Sequence, residues 1–366
     1  MKVPFVNIGL QHRQIKSEIL GIVSELLDSG QFILGGDLVK FEQSFAQLCG
    51  TKYALGVANG TDALFLSLKA LGIGPGYEVI TAPNSFLASA SSIHIAGGTP
   101  VFADVREDFN LDPVQVRKAI TPRTRAIMPV HLTGRPAAMD DILAIAKEFS
   151  LAVVEDCAQA ICSVYKGKPV GGFGDLGCFS LHPLKNLSAC GDGGVITTNN
   201  DALYEQLIKA RNHGLRNRDE CEFWSYNSRL DNLQAAILNI KLGKLSEWTA
   251  RRREIAAYYI ERLSGLNIIL PIDKPSEKAV YHTFIIQSGR RDELKEFLAA
   301  MEIDTKIHYP VPIHLQVAAR YLGYGLGDFP VAEAQTGTIL SLPVYPELTD
   351  LQVEYVADTI RKFFKN

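Results

Sequence analysis

The sequence predicts an α/β fold with a large, mostly parallel sheet, followed by a smaller α+β domain. From about residue 53, short apolar segments alternate with longer amphipathic ones. The apolar segments are rich in β-branched residues and apolar on both faces, which is typical of parallel strands covered by helices on both sides. After about residue 265, strands and helices are mixed. We therefore expect a large domain over residues 1–245, including an N-terminal segment, and a small domain over 246–366.

The elements follow this pattern in order. The strands of the sheet are predicted at 53–59, 78–83, 99–105, 125–132, 151–157, 177–182 and 194–199. Helices are predicted at 61–71, 85–97, 138–149 and, with a break, from Asp231 to about Leu263. Another helix begins at Pro113, because Asp112 is a good N-cap and proline suits the first helical position. The C-terminal part is predicted to hold strands at 267–271 and 282–287 and helices at 291–301 and 351–364.

Composition excludes several classes of protein. Of the 366 residues, 47% are hydrophobic and 21% charged, as in soluble globular proteins. The net charge of −3 provides no overall positive field for nucleic acid or an acidic membrane. The N-terminus turns polar too soon for a signal peptide, and no apolar run reaches 18 residues, so we expect a cytoplasmic protein without a membrane span. The cysteines and histidines lack metal-ligand spacing, so no metal site is expected.

The residues that follow each strand are the candidates for chemistry, because ligands of parallel sheets bind beyond the carboxyl ends of the strands. Gly60 and Thr61 follow the first strand and begin a helix. A small residue, a hydroxyl and the free N–H groups of a helix N-terminus suit a phosphate. The alternative is that Thr61 is an ordinary N-cap.

Polar residues also end the strand at 151–157. Glu155 and Asp156 stand there, and Gln159 follows. A buried carboxylate is costly unless it is paired, so these residues predict a bound cation or a hydrogen-bond network. A helix cap or a structural ion pair is the alternative.

Lys185 lies in the segment richest in unusual residues, with Ser180 and Pro183 before it and three glycines after it. Its neighbours are apolar and small. Loss of solvent lowers the pKa of an amine and favours its nucleophilic form. The alternative is a surface lysine on a turn. Residues 172–177 match G-x-G-x-x-G but precede an apolar run instead of opening a helix, so we do not interpret them as a dinucleotide site.

Five segments taken together resemble one family. They are NGTDA (59–63), PNSF (83–86), EDCAQA (155–160), FSLHPLKNL with GDGG (179–194) and YNSRLDNLQAA (226–236). In this order they resemble the pyridoxal-phosphate-dependent sugar aminotransferases of the DegT/DnrJ/EryC1/StrS group, which have fold type I, the aspartate-aminotransferase-like fold. Two positions differ from the usual pattern: His182 stands where the family often has tyrosine, and Ser188 where it often has glycine.

The resemblance implies a role for each matching residue. Lys185 would carry pyridoxal 5′-phosphate covalently, Asp156 would pair with the pyridine nitrogen, Gln159 would lie near the phenolic oxygen and Phe86 would stack on the ring. The phosphate would be held by Gly60, Thr61 and Ser180, and by Asn227 of the neighbouring subunit. Asn227 could instead cap the helix that follows it in its own chain. In the IHYPVPIHLQ segment we expect His308, Tyr309 and His314 to line the substrate pocket.

The resemblance also implies the reaction. It predicts a homodimer with shared sites that moves an amino group, from glutamate, to a keto sugar nucleotide by a ping-pong mechanism, for polysaccharide or lipopolysaccharide synthesis. One alternative is a sugar dehydratase of the same fold, in which histidine replaces the lysine. The presence of Lys185 favours the aminotransferase. The other alternative is a non-enzymatic regulator, but no helix-turn-helix or basic stripe supports DNA binding.

Overall fold

The computed structural model describes residues 1–365. The strands are β1 (Tyr53–Val57), β2 (Glu78–Thr81), β3 (Thr99–Phe102), β4 (Thr124–Met128), β5 (Ala152–Asp156), β6 (Val164–Tyr165), β7 (Lys168–Pro169), β8 (Leu176–Ser180), β9 (Gly194–Thr198), β10 (Glu277–Lys278), β11 (Phe284–Gln287) and β12 (Ile339–Leu342). The helices are α1 (Ile8–Ser29), α2 (Gly36–Cys49), α3 (Gly60–Ala70), α4 (Leu87–Ile95), α5 (Pro113–Ala119), α6 (Met139–Glu148), α7 (Asp201–Ala210), α8 (Asn232–Leu242), α9 (Leu245–Leu263), α10 (Arg291–Ala300), α11 (Pro330–Thr338) and α12 (Asp350–Lys365).

A seven-stranded sheet forms the larger part of the molecule, with strand order β1-β9-β8-β5-β4-β2-β3. All neighbouring pairs are parallel except those of β9, which runs antiparallel to both β1 and β8. The connection from β8 to β9 contains no helix that could carry the chain back across the sheet, so the chain returns in the opposite direction. The predicted α/β fold with a mostly parallel sheet is confirmed.

The core of this part lies on both faces of the sheet. One cluster packs α3 and α7 against one face. Other clusters place α2, α5, α6 and α8 over the remaining faces and ends. Burial on both sides explains why the strands are apolar throughout instead of alternating.

The predicted elements are mostly confirmed. All seven predicted strands of the sheet form, with ends shortened by a few residues, and α8 and α9 are separated at the predicted break. Asp112 caps α5, accepting a hydrogen bond from the Val114 N–H. The strand predicted at 267–271 is wrong: only Ile269 pairs, with Gln287, and Pro271 cannot donate to a ladder. Helices α1, α2, α7 and α11 and strand β12 were absent from the prediction.

A separate cluster lies in the C-terminal part, around the pair β11–β12 and helices α9, α10 and α12. Val3 belongs to this cluster and bridges to Ile303, although the N-terminal segment was predicted to belong to the large domain. The domain boundary near residue 245 stays a prediction, and residue 366 lies outside the described residues. Within residues 1–365, none of the helices is both long and apolar enough to cross a membrane.

Candidate active site

The carboxyl ends of the strands bring most of the predicted site residues to one edge of the sheet. β1 leads into α3, which begins at Gly60, and β2 is followed by Phe86. β5 ends at Asp156, β8 ends at Ser180, and Lys185 lies in the loop after β8. Because β1 and β8 flank β9, and β5 adjoins β8, these residues meet where parallel sheets bind ligands.

Asp156 is a buried carboxylate at this edge, 5% exposed. The Ser89 hydroxyl donates to its Oδ2 at 2.8 Å, and the Ala158 N–H donates to its Oδ1 at 3.1 Å. Burial raises its pKa, although these hydrogen bonds and the nearby charge of Lys185 oppose the shift. A buried carboxylate in such surroundings favours a cationic partner.

Two serines that were not predicted at the site support this carboxylate. Ser85 donates to Ser89 at 2.9 Å, so a short chain of hydrogen bonds ends on Asp156. Both serines are buried. No local pattern indicates the pair, because Ser85 precedes α4 whereas Ser89 lies within it.

Lys185 is half-buried in the loop after β8, where its N–H donates to the His182 carbonyl at 2.8 Å. Burial lowers its pKa to about 8, with the charge of Asp156 opposing the shift. An amine with a lowered pKa has a larger uncharged, nucleophilic fraction near neutral pH. This environment does not fit the alternative of a surface lysine.

The N-terminus of α3 forms the anion-binding part of the edge. The Asn59 side chain accepts a hydrogen bond from the Asp62 N–H at 2.8 Å, so Asn59 is the N-cap and the alternative cap by Thr61 is wrong. The N–H groups of Gly60 and Thr61 precede the first intrahelical bond and are available to an anion.

Glycine at position 60 allows this helix end to approach β8. A Cβ at Gly60 would lie 2.7 Å from the Cβ of Ser180, closer than side chains can pack. The Ser180 Oγ accepts from the His182 N–H at 3.3 Å, which leaves its hydroxyl hydrogen free to donate. The structure thus brings Gly60, Thr61 and Ser180 together.

Phe86 and Tyr309 form an aromatic wall near Asp156, and Gln159 contacts it. The Gln159 Oε1 accepts from the Thr133 N–H at 2.7 Å, and its Nε2 donates to the Tyr309 hydroxyl at 3.5 Å. The Phe86 ring is 54% exposed and its centroid lies 5.7 Å from that of Tyr309. Burial raises the pKa of Tyr309 to about 12, and the charge of Asp156 adds to the shift. Tyr309 therefore stays a neutral phenol near this carboxylate.

Two histidines lie near Lys185. Nδ1 of His308 is 2.9 Å from the Ser341 Oγ, and burial, with the charge of Lys185, lowers its pKa to about 4. His282, which was not predicted at the site, has its Nδ1 3.2 Å from the Asn186 Oδ1. Burial and the charge of Lys185 also lower the pKa of His282. His282 belongs to no motif in the sequence. It is far from Lys185 along the chain and comes near it only in the folded structure.

His314 lies elsewhere. It is 1% exposed, its Nε2 is 3.0 Å from the Glu333 Oε1, and its ring packs 4.7 Å from that of Phe329. With no surface available, this side chain is a packing residue. The structure does not bring His314 to the site, and the predicted contact with substrate has no support in this geometry.

Asn227 is exposed and forms an isolated bridge with Asn212. The N-cap of α8 is Asp231, so the alternative in which Asn227 caps this helix is wrong. Its predicted contact with a neighbouring subunit stays a prediction.

Glu155 lies in a hydrogen-bond network, one of the two outcomes predicted for this pair of acids. It accepts hydrogen bonds from the N–H groups of Gly171, Phe173 and Gly174, so it organises the loop that matched G-x-G-x-x-G. His131 Nδ1 accepts from the Ala137 N–H, which leaves Nε2 to donate to Glu155 at 3.1 Å. Burial alone would raise the pKa of Glu155, but these bonds hold it below its ordinary value.

Cys157 joins His131 and Glu155 in a buried group of three potential metal ligands. No sequence spacing had pointed to these residues. Both ring nitrogens of His131 and both oxygens of Glu155 already make the hydrogen bonds described above, and burial raises the pKa of Cys157, which favours the thiol. We therefore assign this group to packing.

The edge as a whole combines a nucleophilic amine, a buried carboxylate, a helix N-terminus with hydroxyls, and an exposed aromatic face. These groups match a flat ring that carries a protonated nitrogen, a phosphate and a reactive carbonyl. The carboxylate fits the ring nitrogen, the helix end fits the phosphate and the amine fits the carbonyl.

The sequence matches the DegT/DnrJ/EryC1/StrS aminotransferase family over residues 13–361. A relative from Geobacillus stearothermophilus, named a pleiotropic regulatory protein, is 43% identical over all of both chains. A relative from Streptomyces venezuelae, named dTDP-3-amino-3,4,6-trideoxy-alpha-D-glucose transaminase, is also 43% identical, over 99% of this chain and 96% of its own.

Two solved structures of relatives are also similar to this chain. The crystal structure of S. venezuelae DesV in complex with a ketimine intermediate has a TM-score of 0.98 at 42% identity, covering 100% of this chain and 99% of that one. NtdA from Bacillus subtilis with bound cofactor PMP has a TM-score of 0.93 at 31% identity, covering 100% of this chain and 86% of that one. The protein therefore belongs to the DegT/DnrJ/EryC1/StrS family and is an aminotransferase.

Proposed function

We propose that this aminotransferase binds pyridoxal 5′-phosphate on Lys185 and transfers an amino group, from glutamate, to the keto group of a nucleotide-linked sugar. The observation that carries the proposal is that Lys185 and Asp156 lie at the same edge of the sheet, where the charge of each acts on the other. Burial lowers the pKa of the amine and raises that of the carboxyl, so both groups are poised for a partner they lack in the chain alone. The sugar substrate is supported by the transaminase relative described above.

The residues fit the cofactor part by part. Asp156 would face the pyridine nitrogen, Gly60, Thr61 and Ser180 would hold the phosphate, and Phe86 would cover the ring. When bound, the cofactor supplies a protonated ring that accepts electrons from a carbon that loses its proton. NtdA, the relative with bound PMP, supports a cofactor of this class.

The chain's own groups carry out the proton transfers. The uncharged Nζ of Lys185 removes a proton from the donor Cα and later returns one to the acceptor carbon, as a general base and acid. Asp156, held by Ser89 and Ala158, keeps a proton on the ring nitrogen. The proposal also includes the cytoplasmic location that the sequence predicts.

Turnover with defined substrates tests the function. The enzyme should convert glutamate to its keto acid only together with a keto sugar nucleotide, and the aminated sugar should form in equal amount. The variant Lys185→Ala, which lacks the proposed catalytic amine, is the negative control. Efficient exchange between glutamate and ordinary keto acids, with none on any keto sugar nucleotide, would refute the substrate class. Release of water from the sugar would indicate the dehydratase, and cofactor binding without turnover would indicate a regulator, as the Geobacillus relative's name suggests.

We further propose a homodimer in which Asn227 of one subunit reaches the phosphate in the site of the other. Asn227 is exposed and does not cap its own helix, so its side chain is available to a partner. Two exposed aromatic side chains precede it in the chain, Trp224 at 95% and Tyr226 at 54%. A two-fold interface would form two equivalent shared sites.

Mixing inactive variants tests the sharing. When Lys185→Ala is mixed with Asn227→Ala, a mixed dimer holds one site with both changes and one intact site. Random exchange should restore roughly a quarter of wild-type activity, because about half of the dimers are mixed. The matched control mixes Lys185→Ala with Asp156→Asn: both residues act in the same chain, so each site keeps a defect. Equal results from the two mixtures, with exchange verified, would reject the shared site.

A further inference from the structure

His282 is a half-buried histidine that takes no part in the proposed proton transfers. It lies just before β11, in the C-terminal part of the chain. Its Nδ1 is 3.2 Å from the Oδ1 of Asn186, the residue that follows Lys185. An amide oxygen can only accept a hydrogen bond, so Nδ1 of the ring carries the proton that is donated. The contact joins His282 directly to the loop of the reactive amine.

The ring of His282 is neutral. Burial lowers its pKa well below the ordinary value, and the positive charges of Lys185, Arg252, His308 and His182 lower it further. A neutral imidazole has a single N–H group, and here that group is used on the loop. His282 therefore adds no charge beside the amine, and its contribution to the site is the place at which it holds a hydrogen bond.

The amide of Asn186 is held at both of its polar atoms. Its Nδ2 donates to the Val280 carbonyl at 3.3 Å, while its Oδ1 accepts from His282. Asn186 is buried, 6% exposed, so a rotated side chain would leave polar atoms without partners, which is costly. The orientation of this residue is thus set by two residues of one short segment, and the backbone of Lys185 is bonded directly to it.

The segment that carries His282 is itself anchored to the large sheet's loops. The Val280 N–H donates to the Gly134 carbonyl at 2.9 Å, and the Thr283 N–H donates to the Thr133 carbonyl at 3.4 Å. Gly134 has a φ of +89°, and a Cβ there would lie 2.8 Å from Val280 Cγ2 and 3.0 Å from the His282 nitrogen. Glycine is required for this close approach, which gives the hydrogen bond to the loop a fixed point of origin.

We propose that His282 is a positioning residue for Lys185, which acts through Asn186 to fix the loop after β8 and to hold the Nζ of Lys185 in its half-buried place at the edge of the sheet. The inference rests on the proposed function for what the amine does, and it adds what keeps the amine there. A general base must stay within reach of the proton that it removes, so a loop free to move would lose rate without losing the base.

Labelling of the cofactor-free chain tests the position of the amine without turnover. Competitive acetylation with acetic anhydride, read by mass spectrometry over a pH series, measures the pKa of Lys185. In His282→Ala the loop should open and the pKa should rise from about 8 towards the value of about 10.4 of a solvated lysine. His282→Asn keeps an N–H group at the place of Nδ1 and should retain the lowered pKa.

Kinetics of the holoenzyme test the consequence. His282→Ala should lower kcat by about 10²-fold with little change in the KM for glutamate, because misplacement of a catalytic group affects the chemical step. His282→Asn should recover most of the rate. The double variant of His282→Ala with Asn186→Ala should be no slower than Asn186→Ala alone, since both changes break the same contact.

His94→Ala is the matched control. Nδ1 of His94 also makes a hydrogen bond to a side chain, at 2.9 Å from the Tyr321 hydroxyl oxygen, but this histidine is exposed in the last turn of α4, at the far end of the helix from Phe86. The control should match the wild type in the pKa of Lys185 and in kcat.

The outcomes separate this proposal from the proposed function. A wild type that turns over, with unchanged kcat and an unchanged Lys185 pKa in His282→Ala, would overturn the positioning role alone. A wild type inactive on every keto sugar nucleotide would overturn the proposed substrate, while the labelling still tests the position of the amine.

Three further results would also overturn the positioning role. Equal losses in His282→Asn and His282→Ala would assign a part in the reaction to Nε2 instead. Losses that multiply in the double variant would show that His282 does not act through Asn186. If His282→Ala does not fold, Asn186→Ala carries the test, and an unchanged pKa of Lys185 in that variant would reject the proposal.

Discussion

Replacing Lys185 with alanine should abolish both turnover and covalent attachment of the cofactor. The half-buried Lys185 amine, whose pKa is lowered to about 8, is the nucleophile and the proton carrier in the proposed function. Loss of the proton transfer alone should cost about 10²–10⁴-fold in rate. Lys69→Ala, an exposed lysine in α3, is the control and should retain full activity.

Borohydride reduction followed by peptide mapping checks the attachment in the wild type. Lys241 is the strongest alternative attachment site for the cofactor. It is buried, burial lowers its pKa, and its Nζ donates to the Ser188 carbonyl at 2.7 Å. We expect the reduced adduct on Lys185 and none on Lys241. An adduct on Lys241, or full attachment in the Lys185→Ala variant, would contradict the assignment.

The variant Asp156→Asn should keep its fold and lose about 10²–10³-fold in activity, the usual cost of removing one buried electrostatic partner. An amide cannot hold a proton on the ring nitrogen, so the ring accepts electrons less well. Steady-state kinetics with the same donor and acceptor measure the loss. Near-normal turnover would mean that Asp156 does not face the ring.

Stability of the cofactor-free form distinguishes this role from a structural one. The pKa of Asp156 is raised in the folded chain, so the folded state binds this proton more tightly than the unfolded state does. The contribution of this group to stability is therefore present below the unfolded pKa and is lost as the pH rises through the folded pKa. At neutral pH, Asp156→Asn without cofactor should unfold at the same or a higher temperature than the wild type. A clear loss of stability would indicate that the carboxylate is needed by the fold.

The supporting contacts of Asp156 were beyond the reach of sequence reasoning. The end of a buried strand indicated that Asp156 needs a partner, and burial there is confirmed. The same reasoning could not divide the roles of Glu155 and Asp156, which are adjacent in the sequence. Successive side chains of a strand point to opposite faces, so Glu155 meets the loop at 171–174 whereas Asp156 meets Ser89.

The histidines illustrate the same limit in the C-terminal part. His308 and His314 share one segment and were expected together at the site, yet His314 packs against Phe329 while His308 lies near Lys185. His282 lies near Lys185 without any motif to indicate it. Proximity along the chain says little about a loop whose residues turn towards different partners.

The sequence by itself determined the alternation of strands and helices, the chemistry at the carboxyl ends of the strands and the family. These features depend on local hydrophobic pattern and on short motifs, which are complete within a few residues. Only the tertiary structure decided the antiparallel direction of β9, the approach of Gly60 to Ser180, and which histidines reach Lys185. Those features depend on contacts between segments far apart in the chain, and their energies come from packing and burial that no local pattern records.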